Sequence, residues 1–144
     1  MEKDALIGAW KLVSSEFRRS DGSVIYPYGR DAIGIISYDA AGNVTVQIMR
    51  ADRPAFASGD LYGGTPEEIK AAFEGIISYF GRYEVDRAKG AVTHHIVGSS
   101  FPNWIGGDQV RFFALSGERL TLSTPPILAG GSTLTALLIW ERIA

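Results

Sequence analysis

Short runs in which apolar and polar residues alternate, each closed by a Gly, Asp or Asn turn, fill most of this chain and constrain its fold more than any other feature. A period of two marks a strand with one buried face, so a chain built largely of such runs must make its core from sheet. GAWKLVSSEFRR, residues 8–19, alternates Trp10, Leu12 and Ser14 against Lys11, Val13 and Ser15 and ends in the turn Ser20-Asp21-Gly22-Ser23. AIGIISYDAAGNVTVQIMR reads as a hairpin: Ile33 to Tyr38 runs out, Asp39 to Asn43 turns, and Val44 to Arg50 returns. The pattern resumes with FGRYEVD, AVTHHIVGSS, DQVRFFALS, LTLSTPP and TLTALLIWERI, with loops at residues 101–107 and 127–132.

The period changes once. From Thr65 the apolar positions Ile69, Ala72, Phe73, Ile76, Ile77 and Phe80 follow three-four spacing, which predicts one α-helix over about residues 65–80. Thr65 suits the cap, Pro66 the first helical position and Glu68 the capping box, and Gly81 is placed to stop the helix. About eight strands in meander order with one helix predict an all-β protein, a closed antiparallel up-and-down barrel, since closure removes exposed sheet edges. The 144 residues read as a single domain, and no repeat or low-complexity tract divides them. Residues 51–64 form the longest stretch without a pattern, the size of a lid or a mobile loop.

Composition narrows the chemistry. Hydrophobic residues make up 46% and charged ones 21%, the balance of a folded protein. A net charge of −2 with no basic face argues against nucleic acid. The lack of cysteine removes disulfides, thiolate nucleophiles and thiolate metal sites. No Gly-x-Ser-x-Gly nucleophile elbow occurs, and GGTPEE and LAGGST lack the lysine that a phosphate loop requires. No run approaches the ~18 apolar residues of a membrane span. Met1-Glu2-Lys3-Asp4-Ala5, charged with both signs, does not read as a secretory leader. The expectation is a soluble, cytoplasmic protein that needs no cofactor; the oligomeric state stays open, a homodimer included.

Both ends and much of the middle resemble known barrels. Gly8-Ala9-Trp10-Lys11-Leu12-Val13-Ser14 and Ile139-Trp140-Glu141-Arg142 are similar to the first and last strands of calycins, and between them stand Asp-Gly, Tyr-Pro, Tyr-Phe-Gly-x-Tyr, Val-Thr-His, Phe-Pro-Asn-Trp, Gln-Val-Arg-Phe and Leu-Thr-Leu-Ser-Thr-Pro-Pro. This set resembles the lipocalin-like domain family of small bacterial and fungal proteins, from Gly8 to Arg142. Fatty-acid-binding proteins and secreted lipocalins carry their helices elsewhere. The resemblance implies that Trp10 and Arg142 are structural, the indole covering the barrel bottom and the guanidinium stacking across it.

Strand parity selects the inner face. Leu115 and Leu120 flank the turn 116–119, which puts Arg111, Phe113, Leu122 and Thr124 on their face. Val85 and Val92 flank the preceding turn, which puts Tyr83, His94 and Ile96 inside and His95 outside with Thr93 and Val97. His94 and His95 therefore cannot converge on one ion, and no metal site is expected. A tyrosine or histidine on an apolar strand face is ordinarily a hydrogen-bonded core residue, but an arginine inside a barrel wants an anion or a satisfied network.

The leading expectation is a binding protein for a small hydrophobic molecule with an anionic or hydrogen-bonding end. Its cavity would be lined by Tyr83, Ile96, Phe113, Leu122 and Leu138, with Arg111 and His94 fixing the polar end and Asn103 and Trp104 at the mouth. The alternative is an isomerase or cyclase on a polyketide- or terpenoid-like substrate, with His94 as general acid/base, Tyr83 as donor and Arg111 stabilising negative charge. Some members of the wider calycin superfamily look like enzymes of this kind. A barrel filled by its own side chains is the third possibility.

Overall fold

A computed structural model describes residues 5–144; the reading of the N-terminus as no secretory leader rests mainly on residues 1–4 and lies outside the described residues. Ten strands appear: β1 (Gly8–Arg18), β2 (Val24–Ile25), β3 (Ile33–Tyr38), β4 (Asn43–Met49), β5 (Ile76–Asp86), β6 (Ala91–Ser99), β7 (Asp108–Ser116), β8 (Arg119–Ser123), β9 (Ile127–Ala129) and β10 (Ser132–Arg142). Their order is β2-β1-β3-β4-β5-β6-β7-β8-β10-β9, and β1 also pairs with β10. Without the flanking β2 and β9, eight antiparallel strands close into a barrel. β9 takes up the first part of the expected loop 127–132, because Ile127 to Ala129 folds back on β10 through Gly130 and Gly131, both at positive φ.

The tight connections follow from local chemistry. Between β3 and β4 the Asp39 carboxylate accepts the Asn43 N–H at 2.8 Å, and Gly42 supplies a φ of 93°. The β7–β8 turn places Leu115 opposite Leu120 and Phe113 opposite Leu122, the pairing that parity predicts.

The helix α1 is Pro66–Glu74, shorter than the predicted 65–80. Its start carries the full capping box: Thr65 accepts the Glu68 N–H at 3.2 Å, and Glu68 accepts the Thr65 N–H at 2.9 Å. Its end is set by Gly75, whose N–H bonds the Ala71 carbonyl at 3.0 Å, rather than by Gly81. Ile76, Ile77, Ser78, Tyr79 and Phe80 pair with β4, starting from Ile76 opposite Met49. β-Branched and aromatic side chains suit that pleated surface, and their three-four spacing coincided with a helical stripe. Gly81 instead sits beside a bulge, where an added Cβ would run into the His95 carbonyl.

A second bulge lies in β1 between Leu12 and Ser14. It reverses the alternation predicted for that strand, so Ser15 is buried and Ser14 is not. The core runs down the barrel axis and includes Trp10, Ile36, Tyr38, Val92, Leu120 and Trp140. At one end Arg142 covers the Trp10 ring at 4.1 Å and donates to the Ile7 and Ala5 carbonyls at 2.8 and 2.7 Å. The Trp10 indole N–H donates to the Leu6 carbonyl at 3.0 Å. The first and last barrel strands are locked together at that end.

Candidate functional site

At the other end the barrel opens into a cavity of about 240 Å³. Phe73 and Glu74 from the end of α1, Phe101 and Trp104 around the short 3-10 turn Pro102–Trp104, and β9 form its mouth. Below them the wall is largely apolar, with Ile36, Val46, Ile48, Leu122 and Leu138 among its members. This volume exceeds the roughly 150 Å³ that holds benzene in an engineered apolar cavity.

Of the residues expected to meet a ligand, Arg111, His94, Leu122, Leu138 and Trp104 do line the cavity. Tyr83, Ile96, Phe113 and Asn103 do not. Tyr83 is buried towards the closed end, where its hydroxyl donates to the Asp39 carbonyl at 2.8 Å. Ile96 is packed in the core, Phe113 is half-buried against it, and Asn103 is exposed in the mouth turn. Parity gives the face a residue points to, but not its height along the barrel axis.

Arg111 is 7% exposed. It donates to the Val110 carbonyl at 2.9 Å and, at the limit of a hydrogen bond, to Gln109 Oε1 at 3.5 Å. Its guanidinium carbon lies 5.9 Å from the centre of the Trp104 ring. Among the described residues no carboxylate forms an ion pair with it, so a buried positive charge faces the cavity without a counterion from these residues.

His94 is fully enclosed, at 0% exposure. Its Nε2 is 2.8 Å from the Tyr38 hydroxyl and its Nδ1 is 2.7 Å from the Tyr79 hydroxyl. Burial, and then the charges of Arg111 and His95, push its pKa down to about 3, so the ring is neutral at neutral pH. Burial also raises both phenols: Tyr38 goes well above the usual range, while Arg111 works against the rise at Tyr79. Tyr28, on the wall, is raised by burial to about 12.

Four polar residues of this site escape sequence reasoning. Tyr79 falls in the stretch read as helix, and Ser15 is on the wrong face until the β1 bulge is known. Tyr38 carries no signal beyond sharing a face with Ile36. Trp140 stands out only as part of the end motif Ile139-Trp140-Glu141-Arg142. Ser15 Oγ and Trp140 Nε1 are buried on the wall without a hydrogen bond among the described residues. The clue for Tyr79 was Gly75, a helix stop six residues earlier than Gly81.

On the outer face His95 stands between Asp108 and Glu84, each 2.7 Å from a ring nitrogen. Those hydrogen bonds, Asp108 first, raise its pKa.

Comparison with known proteins adds two matches. The 4'-hydroxy-3'-methoxypropiophenone carrier protein of Aspergillus oryzae is 31% identical over 107 residues, covering 69% of this chain and 96% of that protein. No solved structure gives a significant match. A family model described as the lipocalin-like domain matches residues 7–143, the same span that closes from β1 to β10 around the cavity. The chain therefore belongs to the lipocalin-like domain family.

Proposed function

We propose that this protein is a soluble, cytoplasmic carrier that holds one small, largely apolar, oxygen-bearing molecule in the barrel cavity. The observation that carries this reading is Arg111, a buried cation on a largely apolar wall with no carboxylate partner among the described residues. A buried charge of this kind is costly unless something compensates it, and an anionic or strongly polar ligand oxygen would do so. The similar Aspergillus protein is named as the carrier of a propiophenone, an aromatic ketone, which supports an aromatic body with an oxygen substituent as the cargo here.

The isomerase or cyclase alternative draws less support. A general base near neutrality needs a pKa near the working pH, and His94 is held neutral with both ring nitrogens taken by tyrosines. Tyr83, its expected partner, is off the cavity wall.

Titration with a panel of aryl ketones, phenols, terpenoids and fatty acids, read by tryptophan fluorescence, tests the carrier reading. Arg111→Met should weaken the best binders about 10-fold or more, the usual loss of a charge-assisted hydrogen bond. If no class binds, or if binding is indifferent to Arg111→Met, the reading fails.

A further inference from the structure

The hydrogen-bond chain Tyr38–His94–Tyr79 has one proton more than it can use. Two phenols and one neutral imidazole bring three polar protons, and the two contacts on His94 consume two of them. The chain can point either way, and its direction decides which end keeps the third. If Tyr79 donates to Nδ1, the Nε2–H donates to Tyr38, and the spare proton sits on the Tyr38 hydroxyl. Tyr38 is 1% exposed, is off the cavity wall, and has His94 as its one hydrogen-bond partner among the described residues. A buried donor left without an acceptor is costly, because it has given up its hydrogen bond to water for nothing in return. If Tyr38 donates to Nε2, the Nδ1–H donates to Tyr79, and the spare proton belongs to a hydroxyl on the cavity wall. The second direction avoids the buried orphan whenever the cavity holds an acceptor.

We propose that the cavity recognises an oxygen bearing no proton of its own, a ketone carbonyl or an enolate or phenolate, held by the Tyr79 hydroxyl and the Arg111 guanidinium. Tyr38 and His94 are positioning residues that aim the Tyr79 proton into the cavity. This rests on the carrier reading above and adds to it the polarity and the address of the polar contact. The rest of the wall has the same bias. Trp140 Nε1 can only donate, and Thr124 Oγ1 already accepts the Ala136 N–H at 2.9 Å, so its own proton is the part left to give. Ser15 Oγ, without a hydrogen-bond partner among the described residues, is able to donate as well. The carboxylate on the lining, Glu74, stands at the exposed mouth.

Acetophenone and α-methylstyrene form a matched pair of probes, the same heavy-atom skeleton and nearly the same size with CH2 in place of the carbonyl oxygen. Tyr79→Phe should weaken acetophenone about 10-fold and change α-methylstyrene by less than about twofold. Equal effects on both probes, or no binding of acetophenone by the unaltered protein, would overturn the proposal and leave the carrier reading standing; that reading falls only if the wider panel fails too. Imidazole 15N shifts of His94 in the unaltered protein with acetophenone bound give a second readout that does not depend on a variant folding. Protonated Nδ1 with bare Nε2 is expected, and the opposite tautomer overturns the proposal. Tyr38→Phe should lower both the Nδ1–H population and acetophenone affinity, leaving α-methylstyrene unchanged. 4-Nitrophenol separates the two oxygen sources: it should bind as its yellow anion, and binding only as the protonated phenol overturns the proposal, because its proton would meet that of Tyr79.

Discussion

The imidazole of His95 stands between two carboxylates on the outer face, whereas that of its neighbour His94 is enclosed by tyrosines. Their effects on stability have opposite pH signs. The folded pKa of His94, about 3, lies below its ordinary 6.5, so as the pH falls below 6.5 the unfolded chain takes up a proton that the folded chain refuses. Stability is then lost at up to roughly 1.4 kcal/mol per pH unit. The folded pKa of His95 is raised, so its contribution is fully present below 6.5 and disappears as the pH rises through the raised value. With 38% of that side chain exposed, solvent screening limits the contribution to about 1 kcal/mol or less. Denaturant titrations of the protein and of His95→Gln should therefore differ at pH 5.5 and coincide at pH 9; a constant difference would sink this account. Parity alone separated the two rings in the sequence. It could not name Tyr38 and Tyr79 as the partners of His94, since the Tyr38 contact joins strands far apart in the chain and Tyr79 falls in the stretch read as helix.

At the scale of elements, α1 buries none of its residues, and Ile69 and Phe73 on its apolar stripe remain about half exposed. Packing therefore does little to hold it, and the capping box matters more than it would in a core helix. Glu68 serves twice, since its second carboxylate oxygen accepts the Ala57 N–H at 3.0 Å and so ties the loop 51–64 to the helix start. Glu68→Ala should raise amide exchange about 10-fold across residues 57–74 and leave exchange in the barrel strands unchanged, as measured by deuterium uptake. The start of this helix was legible because Thr65, Pro66 and Glu68 act within four residues of one another. Its end was not, because Ile76, Ile77 and Phe80 fit both a helical stripe and a strand, and the choice between them is made by pairing with β4.

At the scale of the whole molecule, the closed meander was legible because turn chemistry and alternation repeat along the chain, and because the strands of Trp10 and Arg142 must meet for the ring to close. The Arg142 guanidinium joins a ring face to two carbonyls, a geometry that a lysine ammonium does not reproduce. Arg142→Lys should cost about 1–2 kcal/mol in denaturant unfolding, and a loss below a few tenths would show that the plug contributes little. The cavity wall draws on β1 through Ser15 and on β10 through Leu138 and Trp140. Among the described strands β10 is the one that pairs with both β1 and β8, so the wall is incomplete until β10 has joined both neighbours. Closure of the ring and enclosure of the cavity are therefore one event, and the β1–β10 seam is as much a part of the cavity wall as any strand between them.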